Sequence, residues 1–199
     1  MLIISLIKES VSEVRKDNMN YTVPAIGVRV YDGVIKDCDK IIDWCEKQGW
    51  NRSRVSKSED EGVSEIRTSK TLFVPFLSYT NVDIIYNMNK TIWTLFDDYA
   101  KYWDFSFSDV QHPSIQKYDI GDYYKLHSDS GTGLLRVVSA VAYLNTVKEG
   151  GRTIFPHMDI AVEAVEGRVV IFPSDYVYAH EAEEPKSNTK YAAAFWAVP

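Results

Sequence analysis

The sequence predicts an α+β chain, mainly β, in which helices come first and then buttress a double sheet of sandwich or jelly-roll type. Three observations carry this prediction. Two stretches in the first half repeat apolar residues at helical spacing, the chain beyond about residue 112 breaks into short β-rich runs, and turn residues separate those runs at high density.

Residues 1–33 are placed only loosely, with "IGVRVYDG" a strand ending in a turn. "VIKDCDKIIDWCEKQG" sets Ile35, Cys38, Ile41, Ile42 and Cys45 at helical spacing, and Gly49 marks a stop. Residues 51–66 are polar, charged and poor in aromatics, and read as a loop. "KTLFVPFL" is a strand that Pro75 assigns to a sheet edge. A second helix begins after Asn81, which can cap it, and runs Val82, Ile85, Met88, Ile92, Leu95, Tyr99 and Tyr102 along one stripe. The strands of the second half are "SIQKY", "YYKLH", "VVSAVAYL", "RTIF", "AVEAV", "RVVIF", "VYAH" and "KYAAAFWAV". Glycines at 121, 131, 133, 150, 151 and 167, and the stretch around Pro185, break them apart. A single domain is expected over 1–199, with 1–108 a helical and strand support region and 109–199 the core.

A chain of 199 residues is long enough to bury one sizeable core, and an apolar fraction of 45% speaks against disorder. A net charge of -6 disfavours a nucleic-acid binder held mainly by phosphate contacts. No apolar run approaches the roughly 18 residues that cross a bilayer, and "MLIISLI" has no basic segment before it, as a signal peptide would. A cytoplasmic protein without a membrane partner is expected. Cys38 and Cys45 would stand about 10 Å apart along a helix, too far for a disulfide, and read as small buried residues.

The chemistry begins at "YKLHSDSG", residues 124–131. Side chains alternate along a strand, so His127 and Asp129 converge while Ser128 points away. A 2-His-1-carboxylate site for non-haem Fe(II) needs one more histidine and leaves one face of the metal open. His112, His157 and His180 are the candidates. "HMD" at 157–159 repeats the spacing but sits at a turn between two short strands, with little chain left to reach His180 and return. His127 and His180 are far enough apart for the second and seventh strands to meet across a double sheet. That pair is favoured, with His157 and Asp159 solvated and His112 on the surface.

Lys190 opens the last strand inside an apolar run. A buried lysine needs a negative partner or must give up its charge. An acidic cosubstrate supplies one: Fe(II) with one carboxylate keeps a single positive charge, a dicarboxylate brings two negatives, and the lysine returns the total to near zero.

With "AYLN" at 142, "EGGRTIFP" at 149, "GRVVIF" at 167, "AHEAEEP" at 179 and "KYAAAFW" at 190 in order behind "HSD", residues 110–198 resemble the Fe(II)- and 2-oxoglutarate-dependent dioxygenases. The branch they look like is the prolyl 4-hydroxylases. The resemblance implies a double-stranded β-helix, jelly-roll and cupin-like, with His127, Asp129 and His180 on Fe(II) and Lys190 on the distal carboxylate of 2-oxoglutarate. Tyr118 and Tyr143 match positions that reach the cosubstrate, and Thr153 assists the lysine. Arg136 and Trp196 match the substrate side. It further implies O2 as co-reactant, ascorbate as supporting reductant, succinate and CO2 as co-products, and peptidyl proline as substrate. A free amino acid or another small molecule is the alternative, as is a catalytically silent β-helix that only binds. A nucleic-acid demethylase is disfavoured by the acidic chain and by the lack of an arginine pair after Lys190. Halogenation is disfavoured because Asp129 fills the position a halide would need. Arg152 departs from the pattern, standing where collagen-type enzymes carry an acid. "RTSKTLF" at 67–73 is the one N-terminal segment similar to that branch. Nothing in the sequence sets the oligomeric state.

Overall fold

The computed structural model describes residues 20–53, 66–74, 82–131 and 133–199, and within them two sheets stack face to face with two helices over one outer side. In chain order the elements are β1 (Thr22–Ala25), β2 (Val28–Tyr31), α1 (Cys38–Glu46), β3 (Asn51–Arg52), β4 (Lys70–Phe73) and α2 (Asp83–Trp103). They continue with β5 (Asp109–Val110), β6 (Ser114–Tyr118), β7 (Tyr124–His127), β8 (Val138–Tyr143), β9 (Thr153–Phe155), β10 (Ile160–Val162), β11 (Val169–Pro173), β12 (His180–Ala182) and β13 (Lys190–Val198). The large sheet runs β1-β2-β11-β8-β13-β6-β4-β3, with β5 also on β13, and the small sheet runs β10-β9-β12-β7.

Alternation explains the layers. Along β11, Val169 and Ile171 pack toward α1 and α2, while Val170 and Phe172 pack toward the small sheet. Along β13, Ala193, Phe195 and Ala197 join the helix-side core. Lys190, Ala192, Ala194 and Trp196 face a cavity between the sheets. The two alanines matter here, because short side chains on that wall leave volume for a ligand. On α2, Ile85, Met88, Ile92, Leu95 and Tyr99 are buried as the stripe requires. Tyr102, at the helix end, is exposed instead and lays its ring over Arg29. Cys38 and Cys45 are free and buried, and His157, Asp159 and His112 are all exposed.

Three expectations are corrected. His127 and His180 do not face each other across the two sheets: β12 and β7 are neighbours in the small sheet, with His180 directly opposite His127. "VYAH" is not a strand, because the Asp175 carboxylate accepts from the Val177 N–H at 2.8 Å and turns 176–178 into a 3-10 helix; the strand starts at His180. β4 is not an edge, being paired with β6 on one side and with β3 on the other. The residue before α2 is Val82, and no side-chain cap bond closes that end. The expectations placed on the first 19 residues, on Pro75 and Asn81, and on most of the 51–66 loop lie outside the described residues.

Candidate active site

β-Pairing brings the first two candidate side chains together. Residues directly opposite on antiparallel strands hold their Cβ atoms close, and the rings of His127 and His180 stand with centroids 4.4 Å apart. Asp129 follows two residues beyond His127, just past the end of β7. Its Oδ1 lies 3.7 Å from His127 Nε2 and its Oδ2 lies 3.9 Å from His180 Nε2. All three donor atoms fall within 4.8 Å of one another, and no other such group occurs among the described residues.

The surroundings prepare these atoms to hold a cation. His127 Nδ1 bonds the Lys125 carbonyl at 2.9 Å and His180 Nδ1 bonds the Tyr178 carbonyl at 3.2 Å, so in each ring the proton belongs on Nδ1 and the lone pair on Nε2. Burial and the neighbouring His180 ring lower His127 to about 3, which keeps the imidazole neutral. Burial works to raise the Asp129 carboxyl, but His180, His127 and the Ser139 hydroxyl, donating at 2.7 Å, outweigh it and the carboxylate persists. Ser139 shares a further hydrogen bond with Ser174 at 2.8 Å, which fixes its orientation. Two imidazoles and one carboxylate within a few ångströms form a donor set that suits Fe(II).

The cavity beside them has a volume of about 320 Å³. Lys190 lines its far wall and is only 1% exposed. No described carboxylate pairs with its ammonium; it sits 5.3 Å from the ring centre of Tyr118 and 5.4 Å from that of Tyr143. Burial lowers its pKa to about 7, with the Glu183 charge opposing. Glu183 itself is held by Arg152 through bonds of 2.8 and 2.9 Å, so the departure at 152 supplies a structural pair to the strand beside the cavity. Tyr118 lines the cavity and donates its hydroxyl to Gln116 Oε1 at 2.9 Å. The Tyr143 hydroxyl donates to Thr153 at 2.7 Å, and Thr153 reaches the cavity wall. At the other end Arg136 lies 3.6 Å over the Trp196 ring, and both line the same space.

Two cavity residues escape sequence reasoning. Residues 66–68 leave the start of β4 and pair with the outer edge of β7, through Thr68 N–H to Tyr123 O at 3.1 Å and Lys125 N–H to Ile66 O at 2.8 Å. This crossing carries Arg67 into the cavity. Tyr124 lies three residues before His127, and simple alternation would send the two to opposite faces. Between His180 and Ala182 the pairing of β12 to β7 shifts, so three steps on β7 match two on β12. That bulge turns Tyr124 inward, stacked on His127 with centroids 3.5 Å apart at 11°. The "RTS" segment was the available signal for Arg67; an irregular register leaves none for Tyr124.

Residues 113–198 match the family model described as the 2OG-Fe(II) oxygenase superfamily. A search of curated proteins gives no match. Among solved structures, the chain is similar to the viral collagen prolyl hydroxylase of Paramecium bursaria Chlorella virus-1. The two share 20% identity over 86% of this chain and 95% of the other, with a TM-score of 0.67. A prolyl hydroxylase of Trichoplax adhaerens, solved with a hypoxia inducible factor oxygen degradation domain peptide fragment, gives 16% identity over 86% and 83%, with a TM-score of 0.73. A Pseudomonas putida prolyl-4-hydroxylase gives 18% over 86% and 92%, with a TM-score of 0.68. The double-stranded β-helix is therefore the fold of this chain.

Proposed function

We propose that this chain, whose residues 113–198 match the 2OG-Fe(II) oxygenase superfamily model, hydroxylates a prolyl C–H bond in a peptide. The match and the metal-ligand cluster support an enzyme that uses Fe(II), 2-oxoglutarate and O2. The observation that carries the finer reading is the meeting, in one cavity, of His127, Asp129 and His180 with a buried Lys190 that has no anion of its own among the described residues.

In this reading His127 and His180 offer Nε2 and Asp129 a carboxylate oxygen to Fe(II). When bound, the metal with 2-oxoglutarate and O2 supplies the oxidant for C–H hydroxylation, with succinate and CO2 as co-products. The protein's share is placement. Lys190 neutralises the distal carboxylate of 2-oxoglutarate, assisted by Thr153 and bordered by Tyr118 and Tyr143. Ser139 holds Asp129 in orientation. Arg136 and Trp196 border the substrate side, and Ala192 and Ala194 leave room between the two ends. Peptidyl proline is supported by the fold shared with three prolyl hydroxylases, one of them solved with a peptide.

The test is incubation of the protein with Fe(II), 2-oxoglutarate, ascorbate and a panel of proline-containing peptides. The expected result is succinate together with a mass gain of one oxygen on proline. Succinate without that gain on any peptide would remove proline as the target.

A further inference from the structure

We infer that the substrate of this cavity carries a carboxylate close to the reacting carbon, which rests on the reading of the site as a 2-oxoglutarate oxygenase. The observation is a difference among the arginines. Away from the cavity, Arg52 is exposed and each other described arginine pairs with a carboxylate: Arg29 with Asp98 at 2.8 Å, Arg152 with Glu183 at 2.8 Å and Arg168 with Asp32 at 2.5 Å. The two that line the cavity pair with none among the described residues.

Arg67, 8% exposed, donates among the described residues to hydroxyls, to Ser69 at 2.9 Å and Thr71 at 3.3 Å, and lies 4.6 Å over the Tyr124 ring. Arg136 donates to the Gln111 side-chain oxygen at 3.0 Å and to the Asp129 backbone carbonyl at 3.4 Å. Neutral oxygens satisfy some of their N–H groups and none of their charge. Each guanidinium lies over an aromatic face, Arg67 on Tyr124 and Arg136 on Trp196, and its remaining N–H groups can receive a carboxylate.

Charge balance then selects the ligand. Fe(II), Asp129, 2-oxoglutarate and Lys190 sum to neutrality, which leaves both arginines uncompensated. Removing a cation from water without a partner costs several kcal/mol, and an anionic substrate recovers that cost on binding. Arg136, stacked beside Asp129, is the closer of the two to the metal ligands in its contacts and the one expected to dominate.

A carboxylate can come from an acidic residue flanking the target in a peptide or from the α-carboxylate of a free amino acid, and binding separates the two. The protein is loaded with Zn(II) and 2-oxoglutarate, which blocks turnover, and dissociation constants are measured by calorimetry for two matched pairs. One pair is a proline peptide flanked by glutamates and its glutamine counterpart; the other is L-proline and L-prolinamide. In one pair the carboxylate member is expected to bind about tenfold tighter or more, the scale of a hydrogen bond to a charged group, and that pair names the source. Arg136→Gln should bring the ratio close to one, and Arg136→Lys, which keeps the charge without the fork, should leave it between. Arg67→Gln should lower it by a smaller factor. Equal affinities within both pairs, no binding by any of the four, or a ratio unchanged in the arginine variants would overturn the inference. Hydroxylation of proline is read separately with Fe(II): its absence removes proline while a carboxylate preference stands.

Discussion

His180 stands opposite His127 on paired strands, and each ring anchors its Nδ1 to the carbonyl two residues before it, leaving both Nε2 atoms turned toward Asp129. The consequence is a division among the histidines. His127→Ala or His180→Ala should abolish the visible charge-transfer band that forms anaerobically with Fe(II) and 2-oxoglutarate. His157→Ala, at an exposed turn, should leave the band unchanged. Ser139→Ala removes the hydroxyl that orients Asp129 and should weaken metal affinity about 10- to 100-fold in a titration.

Lys190 makes a stability prediction with a definite sign. Its pKa falls from 10.5 to about 7 in the fold because burial disfavours the ammonium. Between those values the unfolded chain keeps a proton that the folded chain has lost. Proton binding to the unfolded state makes stability rise with pH, so the metal-free, ligand-free protein should become more stable from about pH 7 toward pH 10. Lys190→Met should flatten that rise in denaturant unfolding, raise stability at neutral pH and eliminate measurable 2-oxoglutarate binding. Binding of 2-oxoglutarate to the wild type at pH 8 should take up protons, seen as a dependence of calorimetric heat on buffer ionisation enthalpy.

How much of this was legible in the sequence depends on whether a feature obeys regular geometry. The "HSD" spacing, the helical stripe of α2 and the apolar run around Lys190 follow periods of 2 and 3.6, and each could be read directly. The pairing of His127 with His180 inside one sheet could not, since strand order is decided by long-range packing that local alternation does not encode. Tyr124 was hidden by one extra residue in β7, which reverses the face that alternation assigns. Arg67 reaches the cavity by a crossing between sheets, a matter of topology. The 3-10 turn before His180 was signalled by Asp175 but masked by the β-branched and aromatic residues after it.

Gly150 tests the turn that carries β9 past the cavity. Its φ of 70° is a conformation that L side chains rarely adopt, and a Cβ there would run into the Glu184 carbonyl. Gly121 has a φ of 86° with open space around it. Both Gly→Ala changes should destabilise, by about 1 kcal/mol at 121 and by about 2–3 kcal/mol at 150, where backbone strain and collision combine. Urea midpoints measure the difference, and equal losses would mean the turn yields without cost.

Tyr124 is the point at which irregular backbone serves the metal ligands. Its ring lies nearly parallel to His127 at 3.5 Å between centroids, and the Arg67 guanidinium lies 4.6 Å from its ring centre. The bulge in β7 is what makes this stack possible, and a bulge leaves the ladder locally weaker. The stack therefore limits how far His127 can swing about its side-chain bonds, while the Nδ1 bond to Lys125 limits its rotation. Tyr124→Ala should lower Fe(II) affinity by about tenfold, the low end for loss of a group that orients a metal ligand, with little change in global stability because the ring is only partly buried. Tyr124→Phe keeps the stacked face and should retain the affinity. If Phe loses as much as Ala, the hydroxyl rather than the ring face is the active part; if neither changes the affinity, His127 is held by its backbone bond alone.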